Sequence, residues 1–495
     1  MKINLIKYIF LILLPVFMVI SGCTDFLEED VFTEYDPQEF LQDESGIEAL
    51  LAGAYSAIQL TGDRQRDFLI TLSEQCTDLA LESGGGLESR ITPIMQFNWN
   101  PSTLYFDQVY EQFYIAIARA NNVLVEADNI GEISEGKLQA IIGEARFVRA
   151  FSYYFLHNFF GPTPILEIPE GASLDEVERI GKETAKATEQ EYRDYVEQDL
   201  LFAVNALEEE GLASRANKGS ATALLAKFYL NNKQWDKAAE AANDVILMGY
   251  ALVEDYTQLF TVESENNSEV IYKFECKIGT NNNNRYIAHA FPPNYPIQSN
   301  WANFGAQFRT FTAFYETFGL EDDRRKLFID NYIEIGKTFP TVLDRDQDGV
   351  ALDNVRSFKY TPDQNANGAE NGNDVPYLRL SDMFLTRAEA LNELNGPTEE
   401  TFDLINKIRA RANAPLVDLA DFPDKERLRD FLLEERAREF YTEGFRREDL
   451  IRHGKFIQQA VDRGVAAEPF QVLFPLPQPQ LQNNPSLVQN DGYLK

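Results

Sequence analysis

The residues of this chain best suited to chemistry are aromatics set among amides. The run Tyr295-Pro296-Ile297-Gln298-Ser299-Asn300-Trp301-Ala302-Asn303 carries two large rings in a segment with no helical apolar face to demand their burial. A pyranose presents flat C–H faces that stack on an aromatic ring, and Asn and Gln amides both donate to and accept from its hydroxyls. Tyr295, Trp301, Gln298, Asn300 and Asn303 are therefore candidate sugar-binding residues. Trp99 lies between Asn98 and Asn100, downstream of Gly84-Gly85-Gly86, and has the same chemistry. For Trp99 and Trp301 the alternative is a ring that wedges a loop onto the rest of the fold. Trp235 sits at a helical turn and reads as packing.

A second cluster is acidic. Asp344-Arg345-Asp346-Gln347-Asp348-Gly349 opens as a calcium loop does, with alternating carboxylates and then a glycine. An EF-hand needs a bidentate carboxylate at its last position, where this chain has Val355, and Asp353 is out of place for it. Asp344, Asp346 and Asp348 are candidates for an irregular Ca²⁺ site, against the plainer reading of an Asp-rich turn. Catalytic signatures are missing: there is no HExxH, G-x-S-x-G, P-loop or dinucleotide fingerprint. The three histidines, His157, His289 and His453, are far apart. Binding without catalysis is the expectation. The formal net charge of −34 disfavours a phosphate backbone as partner, so nucleic acid is excluded.

The first residues carry an address. Lys2 and Lys7 precede an apolar run from Ile9 to Ile20, too short to span a bilayer and suited to a signal-peptide core. Ile20-Ser21-Gly22-Cys23 follows as a lipobox, so Cys23 is expected to carry lipid and become the first mature residue. Cys76 and Cys276 remain; their spacing has no framework pattern, and pairing and two buried thiols both stay open.

The elements that must position the rings are helical by spacing. Apolar residues recur at three-to-four intervals over 45–60, 103–129 and 137–160, and Gly161-Pro162 ends the last. Leu225, Ala226, Tyr229, Ala238, Ala242 and Val245 fall at tetratricopeptide positions over 220–245, with a looser copy over 383–412. Such pairs must stack, because one pair alone cannot bury its apolar face. Ser83–Met95 reads as a glycine-rich loop. From Phe260 to Gly372 asparagines, glycines and prolines interrupt the pattern, and helical spacing survives mainly over 304–318. Long loops on a rigid frame are where binding tends to reside.

Near the end, Leu432–Gly454 alternates charge and aromatics: Glu435-Arg436, Glu439-Phe440, Glu443-Gly444, Arg446, Asp449-Leu450-Ile451-Arg452 and Gly454. Taken alone it reads as a solvated helical hairpin with i,i+4 pairs. The string, followed by Leu473-Phe474-Pro475-Leu476-Pro477 and Gln489-Asn490-Asp491-Gly492-Tyr493, resembles the C-terminal signature of the SusD/RagB family of glycan-binding lipoproteins.

That resemblance spans the mature chain and implies a mainly α fold: a tetratricopeptide-like frame, an α-α superhelix, with a large irregular loop-rich insertion. The expected parts are a signal peptide at 1–22, a lipid tether at 23–44, and a helical frame at 45–259. A ligand-binding insertion at 260–372 and a C-terminal helical region with a Pro-rich tail at 373–495 complete it. Helices 137–160 and 432–454 are expected to share one core, with Glu435 and Arg436 at the junction, not at the ligand. By resemblance the ligand is a polysaccharide or oligosaccharide, the partner is a TonB-dependent SusC-like transporter, and the location is the cell-surface face of the outer membrane. Because aromatics outnumber basic residues near the candidate site, neutral glucan is the first ligand class. Peptide capture of the RagB kind and a protein-binding scaffold are the alternatives.

Overall fold

A computed structural model describes residues 43–494 except 128, 132, 170 and 306. Cys23 and its lipobox lie outside the described residues. The frame begins with α1 (Glu44–Ile58), whose N-cap Asp43 accepts from the Gly46 amide at 2.9 Å. It continues through α2 (Leu104–Ala127), α3 (Glu135–Phe160), α4 (Glu189–Ala206), α5 (Lys218–Asn231) and α6 (Trp235–Ile246). Each helix packs on the next, as α1 on α2, α2 on α3, and so on to α5 on α6. The starts are written in the sequence: Thr188 and Glu191 form a reciprocal capping box on α4, and Asn217 and Ser220 do so on α5. Gly161, at φ 73°, ends α3 in a conformation that glycine adopts without strain.

The stack does not stop where the helices do. After more than a hundred residues of loops, α7 (Leu380–Asn395) packs against α6, and α8 (Glu399–Arg411) and α9 (Lys425–Phe440) pack on α7. The irregular segment is thus spliced into a continuous helical stack, as an insertion that leaves from α6 and returns to α7. It is pinned at both ends by one antiparallel pair, β1 (Val270–Phe274) with β4 (Val375–Arg379), buried along its whole length against α3 aromatics such as Phe147 and Phe151. Farther out lies a hairpin of β2 (Asn331–Tyr332) with β3 (Thr341–Val342).

Two local expectations change. Glu88–Met95 is helical, so only the first half of the glycine-rich segment is a loop. Residues 304–318 are not a helix: Phe308–Thr310 is a strand and only Thr312–Tyr315 makes a turn of helix.

The largest correction concerns Leu432–Gly454. It is not a solvated hairpin. Glu435, Arg436 and Glu439 are fully buried in α9, as are Arg447 and Asp449 in α10 (Arg446–Arg452). Arg436 donates to both Asp449 oxygens at 2.9 Å and to Asp382 of α7 at 2.9 Å. Arg452 forks onto Glu389 of α7 at 2.6 and 2.8 Å. Arg324, from the insertion, reaches Glu435 at 2.8 Å and Glu439 at 3.3 Å. Arg379, the last residue of β4, bridges Glu269, Glu439 and Glu443 at 2.6–2.8 Å. Buried charge is tolerated because every carboxylate named here meets a guanidinium, often bidentate. Gly444, at φ 86°, lets the chain turn beneath Leu69, where a Cβ would sit only 3.0 Å away. The signature is the joint that locks insertion to frame.

Candidate ligand-binding surface

The short helix Tyr286–Ala290 delivers Phe291 into the core, and the chain then loops outward through Tyr295 and returns at Trp301. Phe291 is the residue that joins the two. The Tyr295 ring lies 5.4 Å from it at 25°, and the Trp301 ring 5.6 Å from it at 17°. All three planes are close to parallel, a stacked arrangement that aromatic pairs favour when offset. Tyr332 and Phe358 close on Tyr295 at 5.7 and 5.6 Å.

Tyr295 and Trp301 are half-buried, not displayed as bare platforms. Trp301 Nε1 donates to the Asp363 carbonyl at 2.9 Å, and its backbone bridges to Gly368. Asn300 Nδ2 donates to the Ala366 carbonyl at 2.9 Å and the Gln364 carbonyl at 3.1 Å. Asn303 Nδ2 donates to the Pro292 carbonyl at 2.8 Å, and its oxygen accepts from the Gly305 amide at 2.9 Å. These two amides brace the loop instead of standing free for hydroxyls, which revises their expected role. Gln298 is exposed and its amide pairs with that of Gln364. The two ends of the loop therefore meet a second loop, 362–372, whose Gln364 the sequence reading did not single out. Burial raises the Tyr295 pKa, keeping the phenol neutral. Among the described residues, Tyr295, Gln298, Asn300 and Trp301 meet aromatic rings, the Gln364 amide and backbone carbonyls, so the surface offers ring area and paired amides, the chemistry of a neutral polyhydroxylated ligand.

Trp99 is not part of this surface. It is 6 % exposed, lies edge-on to Phe106 and Phe474, and its Nε1 donates to the Tyr493 hydroxyl at 2.8 Å. Its place is the core, pinned by the C-terminal tail. We expect Trp99→Ala to lower stability by about 3–5 kcal/mol, the range for deleting a buried large ring. Urea unfolding measures this, and the folded fraction should bind sugar as the parent does. Trp235 is half-buried at the start of α6, beside a cavity of about 370 Å³ lined by Glu389, Arg429 and His453.

The calcium reading is not supported. Asp344 accepts from the Arg345 amide at 2.7 Å, and Asp346 caps the turn through the Asp348 and Val350 amides at 2.9 and 2.8 Å. Asp348 is exposed, and among the described residues no three His, Cys, Asp or Glu side chains converge to hold a metal ion. The short side chains of this turn bond its own backbone, the ordinary use of Asp in turns. Cys76 and Cys276 are both free thiols.

Comparison with known proteins decides the kinship. Residues 342–493 match the SusD family, and residues 25–230 match the family described as starch-binding, associating with the outer membrane. The chain is SusD-like. A SusD-like protein P25 of Formosa agariphila is 25% identical over 99% of this chain and 98% of its own. The starch-binding protein SusD of Bacteroides thetaiotaomicron is 24% identical, covering 81% of each chain. Among solved structures, a laminarin-binding SusD-like protein superposes with TM-score 0.75 at 24% identity, over 91% of this chain and all of that one. The fold of this SusD-like chain, a helical stack interrupted by one loop-rich insertion, is therefore the fold of these SusD-like proteins.

Proposed function

We propose that this SusD-like chain captures a neutral glucan on the Phe291–Asn303 loop and delivers it to a SusC-like TonB-dependent transporter at the outer membrane. The observation that carries the reading is the Tyr295–Phe291–Trp301 stack, ringed by amides and free of ionic contacts. A charged glycan or an acidic peptide would need cationic side chains there. The relatives named for starch and laminarin point to the same ligand class. No bond is made or broken: a rigid stack presents a preformed stacking face, so little ordering free energy opposes binding. A binding array of soluble α- and β-glucans, acidic glycans and peptides tests this. Retention of a laminarin-type β-glucan or a starch-type α-glucan is expected; retention of peptides alone would favour the RagB-type alternative.

Anchoring through lipid at Cys23 belongs to the same proposal. Cys23→Ala is expected to release the protein from the outer-membrane fraction in cells lacking the transporter, as read by fractionation and blotting. Persistence in that fraction would remove the lipid from the account.

A further inference from the structure

One protrusion of the insertion inverts the usual pattern of a surface strand. From Asn331 to Ile335 exposure alternates, and Tyr332 and Glu334 are the side chains that point in. The Tyr332 hydroxyl donates to the Pro293 carbonyl at 2.6 Å, and Glu334 accepts from Thr341 at 2.6 Å and pairs with Lys337. The apolar ones point out: Ile333 is 52% exposed and Ile335 68%. Val342, opposite Asn331 across the β2–β3 pair and so on the same face, is 47% exposed, and Phe339 at the turn is 81% exposed. The adjoining turn, tied back through the Leu352 amide to the Asp344 carbonyl, adds Val350 at 60% and Leu352 at 40%. Single exposed apolar residues are ordinary; six on one small protrusion mark a surface meant to be covered.

Chemistry narrows what covers it. Five of the six are aliphatic and offer a sugar neither a ring face nor a hydrogen bond. The protrusion is acidic, with Asp330, Glu334, Asp344, Asp346, Asp348 and Asp353 against Lys337 and Arg345. Both of those cations are paired, Lys337 with Glu334 and Arg345 with Glu316, so none is left for lipid phosphates. A second copy of the chain, at formal charge −34, is repelled, and so is the acidic segment 24–42 of the same chain. A different protein, apolar at the contact and neutral or basic at its rim, is the occupant that fits.

We infer that Asp330–Asp353 is a docking surface for such a protein, and, resting on the function proposed above, that this protein is the SusC-like transporter. The protrusion adjoins the sugar loop directly: the Ile335 amide donates to the Asn294 carbonyl at 3.0 Å. A docked partner therefore lies beside the Tyr295 ring, where the ligand is handed on.

The test uses the full lipoprotein in its own outer membrane. The variant Ile333→Ser/Ile335→Ser/Phe339→Ser is purified from detergent-solubilised membranes beside wild type, and the transporter brought down with each is quantified. A photo-crosslinking residue is placed at position 339, with one at Leu212, 69% exposed on the frame, as control. The expected result is a loss of co-purified transporter of about tenfold or more, the scale of a lost interface hot spot. Crosslinks should join position 339 to the transporter and be missing from 212, while melting point and glucan affinity match wild type. Should the triple variant misfold, Phe339→Ser alone carries the same comparison. Equal transporter yield from wild type and variant overturns the inference. So do crosslinks to a second copy, to segment 24–42 or to lipid, and so does a fall in glucan affinity with transporter yield intact. A wild-type protein that binds glucan but brings down no transporter defeats the partner reading itself, a result distinct from a variant-specific loss.

Discussion

Arg379→Met should leave little folded protein. Arg379 is fully buried, and its guanidinium donates to Glu269, Glu439 and Glu443 at once, with a further bond to the Glu439 carbonyl at 2.9 Å. Methionine fills much of the volume but leaves three buried carboxylates short of a partner. Arg411 and Lys359 are already engaged with the same groups and cannot replace it. Breaking a buried ion pair by removing one partner costs about 3–5 kcal/mol, against a total stability of about 5–15 kcal/mol for a typical domain. The damage falls on the joint, since Glu269 precedes β1, Arg379 ends β4, and Glu439 and Glu443 belong to the signature. Arg379→Lys should rescue little, because one ammonium cannot reproduce the fork. Denaturant unfolding checks this; an unfolding midpoint equal to wild type would mean that the joint holds without Arg379.

The same joint sets the response to acid. Burial alone would raise the Glu435 pKa, but the facing Arg324, Arg438 and Arg409 guanidiniums outweigh it and hold the group at about 2. Glu439, Asp382, Asp449 and Glu389 are likewise held below the usual carboxylate range, by arginines in each case and by Lys227 or His453 as well at Asp382, Asp449 and Glu389. Groups depressed on folding stabilise the fold above their unfolded pKa, near 4.5 for Glu. That contribution is lost as pH falls from there towards 2.

The helical frame was legible because its helices repeat an apolar face at helical spacing and announce their starts with Ser, Thr, Asp and Asn caps. The signature was legible as a kinship mark but not as a core element. Glu435, Arg436 and Glu439 look alike in sequence whether solvated on a surface or paired inside, and their partners Arg324, Asp382 and Arg379 lie more than fifty residues away. Trp99 and Trp301 failed to separate for the same reason. Both follow an asparagine directly, yet Trp99 is buried by Phe474 and Tyr493 from the far end of the chain. Phe291, which stacks between the roles of Tyr295 and Trp301, could have been suspected from its place just ahead of Pro292-Pro293. Gln364 carried no local signal.

The largest functional effect is expected at Trp301. Its indole stacks on Phe291 and is held by the Asp363 carbonyl, so its position is fixed before any ligand arrives. Removing one aromatic anchor from a binding surface costs on the order of 1–3 kcal/mol, which is about tenfold to a hundredfold in affinity. Because the ring is half-buried, Trp301→Ala should also lower the melting point somewhat, and affinity must be measured well below it. Calorimetric titration of a soluble neutral β-glucan into wild type, Trp301→Ala and Trp99→Phe is the most direct test. The predicted result is measurable binding by wild type and Trp99→Phe, with affinity reduced about tenfold to a hundredfold in Trp301→Ala. Wild-type affinity retained in a folded Trp301→Ala would contradict the assignment and place the sugar elsewhere on the molecule.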